Sequence, residues 1–277
     1  MIKVVYAEGC SFTAGAELKD WKMTDEGLEH SESTWAAQIQ KLCFPNAKYF
    51  PTARSASSNS HIRRRALYYL SELLKDYKGK EIVFLVQWTD INRREFRVPK
   101  IQNTKRYGTY NDKEEQLYIS LLPIDVLGTF FSNPIVQQVD RNRWLESNNI
   151  IKLFHEYNKH IMCRESSMYD SLSEIEQVRN FCKLHKIKIY ETIGFGELVG
   201  AYGKLQTQDK FLLDLANKVD IENTSFFVKD DLPEGFHDYN KRVGLKFGPG
   251  GHPLEGAHRT WSRMMMKHFN LQKVKND

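Results

Sequence analysis

Apolar residues along the chain occur in two patterns: short continuous runs, and longer stretches in which they recur every three or four positions. The strongest run, EIVFLVQW at residues 81–88, is apolar over almost its whole length, as in strands that a parallel sheet buries on both faces. A second run, at residues 2–7, is rich in β-branched residues and ends shortly before a glycine. Weaker strand signals lie at residues 47–50, 187–192 and 225–228. The pattern therefore predicts about five short strands.

Helical spacing of apolar residues predicts longer segments between and after these strands. The first begins near residues 33–34. The second follows the Ser-rich turn PTARSASSNS, with Asn59 or Ser60 as the residue that caps it. The third covers about 146–184, and the last begins at Pro253. The inner face of this last helix is expected to comprise Leu254, His258, Trp261, Met265 and Phe269.

The alternation of strands and helices indicates an α/β fold, a three-layer α/β/α sandwich around a mostly parallel, flavodoxin-like sheet of about five strands. Residues 96–145 break the alternation with basic, polar and Pro-containing pieces. We expect an insertion there, within a single domain that spans residues 1–277. Ligands of such folds bind beyond the carboxyl ends of the strands. The important loops are therefore those that follow residues 7, 50 and 88, and the segment before the last helix.

Composition and charge argue against several classes of protein. Forty Lys and Arg against thirty-five Asp and Glu give a net charge of +5 spread over 277 residues, which is weak support for a nucleic-acid partner. The four cysteines form no C-x-x-C pair, so neither a zinc site nor a dense disulfide framework is expected, and no cofactor is indicated. Without a signal peptide or an apolar segment of about eighteen residues, we expect a cytoplasmic protein that does not enter a membrane. Nothing in the composition bears on the oligomeric state.

The most suggestive short motif, YAEGCSFTAG, lies where the first predicted strand ends. A serine on the turn from a strand into a helix has its hydroxyl at the edge of the sheet, close to the positive end of the helix. Ser11 has this position, and it is either a nucleophile or part of a tight turn that caps the helix. Far downstream, the flexible turn GPGGHP brings His252 to the start of the last helix. There it could accept the proton of a serine nucleophile.

Four segments in order, GCSFTAG, ARSASSNSHI, VFLVQWTD and GGHPLEGAHRTW, carry a specific resemblance. Their order and spacing resemble the four sequence blocks of the SGNH (GDSL-type) hydrolase superfamily, over most of the chain outside residues 96–145. Within that superfamily the chain is most similar to uncharacterised SGNH-like proteins of phages. These proteins share GCSFT near the start and an ending of the form HP-x-x-x-[GA]-H-x-x-W.

The resemblance implies a serine hydrolase, an esterase or deacylase that cleaves an ester or acyl group from a small molecule or a carbohydrate. It implies that Ser11 is the nucleophile, that His252 is the base, and that the reaction passes through an acyl-enzyme. The oxyanion hole of the superfamily uses the backbone amide of the serine, a glycine amide in the second block and an asparagine side chain in the third. The matching positions in this chain are Ser11, Ala56 and Thr89.

The chain departs from the superfamily pattern at three places. Ala56 replaces the glycine, which matters if the turn requires a positive φ, and Thr89 replaces two amide donors with one rotatable hydroxyl. The aspartate that usually lies two or three residues before the histidine is missing, since Pro249 and Gly250 occupy those positions. In sequence, Asp238 and Glu255 are carboxylates near His252.

Residues next to these blocks have more than one interpretation. Asn59, Trp88 and Arg93 could line the substrate site, although Asn59 could equally cap a helix and Arg93 could form a surface ion pair. A second hypothesis is a catalytically weak or inactive SGNH-fold protein that binds carbohydrate or protein, as a phage component in the host cytoplasm or the virion. A third is a phosphate- or nucleotide-handling protein that uses basic residues such as those at 63–65.

Overall fold

The structure is a computed structural model, and it describes residues 1–23, 29–97, 118–121, 152, 156–157, 160, 163–196, 210–219, 226, 228–229 and 232–274. The strands are β1 (Val4–Glu8), β2 (Lys22–Met23), β3 (Glu29–His30), β4 (Lys48–Pro51), β5 (Ile82–Trp88), β6 (Arg94–Arg97), β7 (Tyr118–Leu121), β8 (Lys188–Ile193), β9 (Val228–Lys229) and β10 (Leu232–Pro233). The helices are α1 (Ser11–Ala14), α2 (Trp35–Cys43), α3 (Asn59–Asp76), α4 (Arg164–His185), α5 (Lys210–Val219), α6 (Phe236–Arg242) and α7 (Glu255–His268), with a 3-10 turn at Gly79–Glu81.

The central sheet is parallel throughout its described strands, in the order β4-β1-β5-β8. This order and direction confirm the prediction of an α/β fold with a flavodoxin-like sheet. The described residues provide four strands where about five were expected. The weak signal at residues 225–228 does not add a strand to this sheet, because Val228 belongs to β9, which pairs with β10 in a short antiparallel ribbon.

Helices cover both faces of the sheet, as alternation along β1 requires. Val4 and Tyr6 face a core that they share with α3, α4 and α5. Val5 and Ala7 face a second core, formed with α2, α6 and α7. All five residues of β1 are buried, since the strand has a neighbour on each side and a helical layer on each face. The carboxyl end of β1 therefore opens at the centre of one edge of the sandwich.

Helix starts follow the sequence closely, with one correction. Thr34 caps α2 by accepting a hydrogen bond from the amide of Ala37. The cap of α3 is Ser58, whose hydroxyl accepts from the amide of His61 at 3.2 Å, and not Asn59 or Ser60 as the sequence predicted. Asn59 is drawn away from the cap because its side chain bonds to the backbone of Thr89 in another loop. The prediction of a helix over 146–184 is met by α4, while most of residues 146–162 lies outside the described residues.

The predicted insertion at residues 96–145 lies mostly outside the described residues. Its described parts are the end of β6 and all of β7, which pair antiparallel. In the described part of the chain, no helix is both long and apolar enough to cross a membrane.

The last helix, α7, packs in the core that it shares with α2 and α6 on one face of the sheet, through the side that the sequence predicted. Trp261 and Met265 are buried in the core, and so is His258. The Nδ1 atom of His258 accepts a hydrogen bond from the amide of Trp35 at 3.1 Å. Burial lowers the pKa of His258 to about 3, so the ring is neutral at pH 7 and serves packing between α2 and α7.

Candidate active site

The turn after β1 places Ser11 at the first position of α1, with Cys10 in extended conformation before it. Gly9 is required there because a Cβ atom would lie 2.5 Å from Thr13 Oγ1 and 3.1 Å from the carbonyl oxygen of Gln87. The short helix ends at Gly15, where a φ of 82° reverses the chain. The sequence thus folds into a strand, a tight turn and one helical turn that carries the serine, as predicted.

Hydrogen bonds fasten the loops of the first three blocks to one another. The amide of Arg54 donates to the carbonyl oxygen of Gly9, so the second loop lies against the first. The side chain of Asn59 spans to the third loop: its Oδ1 accepts from the amide of Thr89 at 2.8 Å, and its Nδ2 donates to the carbonyl oxygen of Thr89 at 3.2 Å. Asn59 also donates to the hydroxyl of Ser171. Its role in the structure is therefore to hold the backbone that follows β5.

Ala56, which the sequence resemblance matches to a glycine, has a φ of 62°. A non-glycine residue in this left-handed region is strained by roughly 1–2 kcal/mol, because Cβ crowds the carbonyl oxygen. The turn has a backbone shape for which glycine is suited, although alanine occupies the position. The backbone amide of Ala56 therefore retains the conformation that a glycine amide would have.

Ala56→Gly should raise the free energy of unfolding by roughly 1 kcal/mol, since relief of the left-handed strain exceeds the entropy that glycine adds to the unfolded chain. Chemical denaturation monitored by circular dichroism measures the change. Ala53→Gly in the same loop is the matched control: Ala53 is buried and its φ is negative, so this change should destabilise the protein. If Ala56→Gly lowered the free energy of unfolding, the inference that Ala56 is strained by its positive φ would be wrong.

Thr89 is fully buried at the end of β5. Its amide is engaged by Asn59, and its hydroxyl has no hydrogen-bond partner among the described residues. A buried hydroxyl without a partner is uncommon and costs free energy, and an oxygen of a ligand would supply one. The Thr89 side chain is thus a buried donor for which no described residue provides an acceptor.

The turn that carries His252 is wrapped around the side chain of Glu17. Glu17 Oε2 lies 2.7 Å from His252 Nδ1 and accepts from the amide of His252 at 3.1 Å. Its Oε1 accepts from the amide of Gly250 at 2.6 Å. Gly248 must lack a side chain, because a Cβ atom would lie 2.7 Å from Glu17 Oε2. The glycines of GPGGHP therefore let the backbone close around a carboxylate.

Glu17 joins this turn to the first block, six residues after Ser11. The ring of His252 meets that of Phe12 edge to face with centroids 5.8 Å apart, so the histidine lies beside the residue that follows Ser11. Burial raises the pKa of Glu17, but hydrogen bonds from Gly250 and from His252 outweigh it, and the net pKa is below its usual value. Glu17 is therefore an anion at neutral pH. Its φ of 66° is a strained backbone conformation of the kind found at functional sites.

The carboxylates near His252 in sequence do not contact it. Asp238 accepts from the amide of Gly196 at 2.5 Å and lies against His237. Glu255 accepts from the amide of Lys19 at 3.1 Å. Sequence reasoning missed Glu17, because it lies in a polar, poorly periodic segment 235 residues before the histidine. The only available signal was the glycine-rich turn, which indicates a close approach without naming the partner.

The three residues suggested as substrate-lining lie in different surroundings. Asn59 and Trp88 are buried, and the indole nitrogen of Trp88 donates to Glu191 at 3.0 Å. Arg93 is only partly buried, donates to the carbonyl oxygen of Ser57 at 3.3 Å and lies over the ring of Phe195. Of the three, Arg93 is the one whose side chain has surface to offer a ligand.

A group of partly exposed rings lies against Phe12. Phe12 contacts Phe195 with centroids 5.1 Å apart, and His237 is stacked on it at 6.3 Å. His237 also contacts Phe195 and Phe247. We call these three, Phe195, His237 and Phe247, the aromatic rim. Phe195 and His237 of the rim thus contact Phe12, the residue that follows Ser11.

Two arginines of the basic run at residues 63–65, Arg63 and Arg65, are paired within the fold. The Arg65 side chain is buried with its Nε 3.4 Å from Glu8 Oε2, and its Nη2 donates to the carbonyl oxygen of Thr52 at 2.7 Å. Arg63 is paired with Glu174. These charges are used within the fold, which removes the support for a protein that handles phosphate or nucleotides through them.

Comparisons with known proteins give matches among solved structures. No family profile matches the chain, and no curated protein matches it either. A member of the lipolytic protein G-D-S-L family from Veillonella parvula is 8% identical, with a TM-score of 0.46, and the match covers 97% of this chain and 98% of that one. A catalytic mutant of an acetylxylan esterase from Geobacillus stearothermophilus is 10% identical, with a TM-score of 0.45 and coverage of 99% and 97%. The solved structures that this chain resembles thus include lipolytic and carbohydrate esterases with α/β folds.

Proposed function

We propose that the chain is a serine hydrolase of the SGNH superfamily that cleaves an ester of a small molecule or a carbohydrate. Ser11 Oγ attacks the ester carbonyl while His252 Nε2 takes its proton, and the alcohol leaves with that proton. Water then attacks the acyl-enzyme with His252 again as the base, which releases the acid and the free serine. No metal or cofactor takes part in this scheme.

The bond between Glu17 and His252 is the observation that carries the proposal. A carboxylate 2.7 Å from Nδ1 holds the proton on that nitrogen and leaves the lone pair of Nε2 available. In the described part of the chain no group hydrogen-bonds Nε2. Glu17 therefore does what the missing aspartate does in the superfamily, from a different place in the sequence. It also stabilises the imidazolium that forms when the serine loses its proton.

The oxyanion of the tetrahedral intermediate needs donors that are already in position. The backbone amides of Ser11 and Ala56 are two candidates, and the third is the Thr89 hydroxyl, for which no described residue provides an acceptor. One hydroxyl in place of an amide side chain costs some preorganisation, and loss of one such donor is worth about 10²- to 10³-fold in rate. We therefore expect a slower enzyme than one with asparagine at this position.

Labelling with a fluorophosphonate tests the nucleophile directly. We expect one adduct per chain, and peptide mass spectrometry should locate it on the peptide that contains Ser11. Ser11→Ala should give no adduct, while Ser57→Ala, a change in the neighbouring loop, should be labelled like the wild type. The wild type should also hydrolyse p-nitrophenyl acetate. An adduct elsewhere, or none together with no turnover, would reject the hydrolase.

The alternative function is a binding protein that has kept the fold and lost the reaction. The observation that favours it is the change at two of the three oxyanion positions, Ala56 and Thr89. Under that hypothesis the aromatic rim binds carbohydrate or protein, and wild type and Ser11→Ala bind the same ligand equally well. A phage origin, with a role in the virion or the host cytoplasm, is compatible with either function. Fluorophosphonate labelling decides between the hydrolase and the binding protein.

A further inference from the structure

Several arginines in the described part of the chain are paired with carboxylates. The pairs are Arg63 with Glu174, Arg65 with Glu8, Arg94 with Asp170, Arg179 with Glu191 and Arg242 with Glu234. The pattern is what electrostatics predicts, because a guanidinium that loses water needs an opposite charge. An arginine that departs from this pattern beside a candidate active site calls for an explanation.

Arg93 departs from it. Its guanidinium is partly buried, and its Nη1 donates to the carbonyl oxygen of Ser57 at 3.3 Å. Its Cζ lies 5.4 Å from the centre of the Phe195 ring. No carboxylate pairs with it among the described residues, although Arg94, the next residue, is paired with Asp170 at 2.8 Å. One charge is thus fixed in direction by a backbone carbonyl and an aromatic face, and no described residue supplies its counter-ion.

The contacts of Arg93 place it at the mouth of the candidate active site. Ser57 follows Ala56, the candidate oxyanion residue of the second block. Phe195 belongs to the aromatic rim and contacts Phe12, which follows Ser11. Arg93 therefore bridges the loop that contributes an oxyanion amide and the rim beside the nucleophile.

We propose that Arg93 binds an anionic group of the substrate, so that the natural substrate is an ester that carries a negative charge besides the ester bond. This inference rests on the proposed function and names its substrate class. A guanidinium offers paired N–H donors that match a carboxylate, and its partial burial strengthens the attraction. The anionic group belongs either to the acyl part or to the alcohol part of the ester, and the two are separable by experiment.

Matched pairs of esters test the proposal. The alcohol-side pair is 4-acetoxybenzoate and its neutral methyl ester, and the acyl-side pair is mono(4-nitrophenyl) adipate and 4-nitrophenyl hexanoate. Wild type should prefer the anionic member of one pair, and Arg93→Gln should lower kcat/KM for that member by about ten- to thirtyfold. The neutral member should change by less than about threefold. The pair that responds identifies the side of the ester that carries the charge.

Arg94→Gln is the matched control, since it removes a neighbouring charge that is already paired, and it should leave the anionic preference unchanged. Arg93→Lys should recover part of the preference, because it keeps the charge and loses the paired donors. Raising the salt concentration should weaken the preference in wild type and not in Arg93→Gln. Equal losses for anionic and neutral esters would instead mean that Arg93 only supports the Ser57 loop, and that result would overturn the proposal.

A binding measurement separates this proposal from the proposed function. In a Ser11→Ala background, titration calorimetry with 4-acetoxybenzoate and with mono(4-nitrophenyl) adipate should give a dissociation constant for one of them that Arg93→Gln raises about tenfold or more. This result supports the anion site even if the wild type hydrolyses no ester. Turnover of neutral esters with no Arg93-dependent preference, or binding unaffected by Arg93→Gln, overturns the anion site and leaves the hydrolase standing.

Discussion

Glu17→Gln is expected to lower kcat for p-nitrophenyl acetate by about 10³- to 10⁴-fold while changing KM by less than about threefold. The variant keeps the length of the side chain and can still accept one hydrogen bond from the turn. It carries no negative charge, so the imidazolium that forms when Ser11 loses its proton has no counter-charge at Nδ1. Where the amide nitrogen of the glutamine faces Nδ1, it donates to that atom and places the ring proton on Nε2. The histidine would then present an N–H to Ser11 where it needs a lone pair. Steady-state kinetics on folded protein measure the effect.

Two further variants separate orientation of the imidazole from mere support of the turn. Glu17→Asp keeps the charge with a shorter reach and should recover part of the lost kcat. Glu255→Gln removes a carboxylate that bonds the amide of Lys19 and not His252, so it should stay within about threefold of wild type. The rate of fluorophosphonate labelling should fall with kcat in Glu17→Gln, since both need the same proton transfer. A loss in kcat smaller than about tenfold would show that something other than Glu17 orients His252.

The parts of the fold that the sequence predicted well are those that burial dictates. β1 and β5 are continuous apolar runs because neighbours cover them on both edges and both faces. The last helix keeps its inward face because packing under the sheet selects apolar residues at helical spacing. The sequence also predicted that Ser11 lies at the start of a helix after β1, because the glycine next to the strand indicates a tight turn directly before it.

The parts that the sequence could not predict depend on polar contacts between distant segments. Glu17 and His252 meet across 235 residues, and a hydrogen bond between two polar side chains leaves no periodic pattern. Asn59 was a candidate cap because of its type, but the backbone of Thr89 competes for the same side chain and Ser58 is left to cap the helix. The sequence also shows that an aspartate is missing before His252, but it does not show which carboxylate contacts the ring. That contact became visible only in the geometry of the loops.

The buried ion pair beneath the active-site turn provides the largest expected effect on stability. Glu8 is fully buried at the end of β1, directly before the turn that carries Ser11. Its carboxylate accepts from the hydroxyls of Thr52 and Tyr6, at 2.5 and 3.0 Å, and from the amide of Gly9 at 3.0 Å. Arg65, from α3, supplies the opposite charge. Hydrogen bonds alone do not offset the cost of burying a carboxylate, so the guanidinium supplies the opposite charge that the core requires.

Arg65→Met should lower the free energy of unfolding by about 3–5 kcal/mol, because it leaves Glu8 without a counter-charge in the core. The double variant Glu8→Gln/Arg65→Met should be more stable than Arg65→Met alone, since the uncompensated charge is gone and the methionine fills most of the volume. Denaturant titrations of the wild type, both single variants and the double variant give the coupling free energy. Lys75→Met on the same helix removes an exposed pair with Glu72 and should change stability by less than about 1 kcal/mol. If Arg65→Met cost no more than Lys75→Met, the pair would not be what holds the turn of Ser11 on the end of β1.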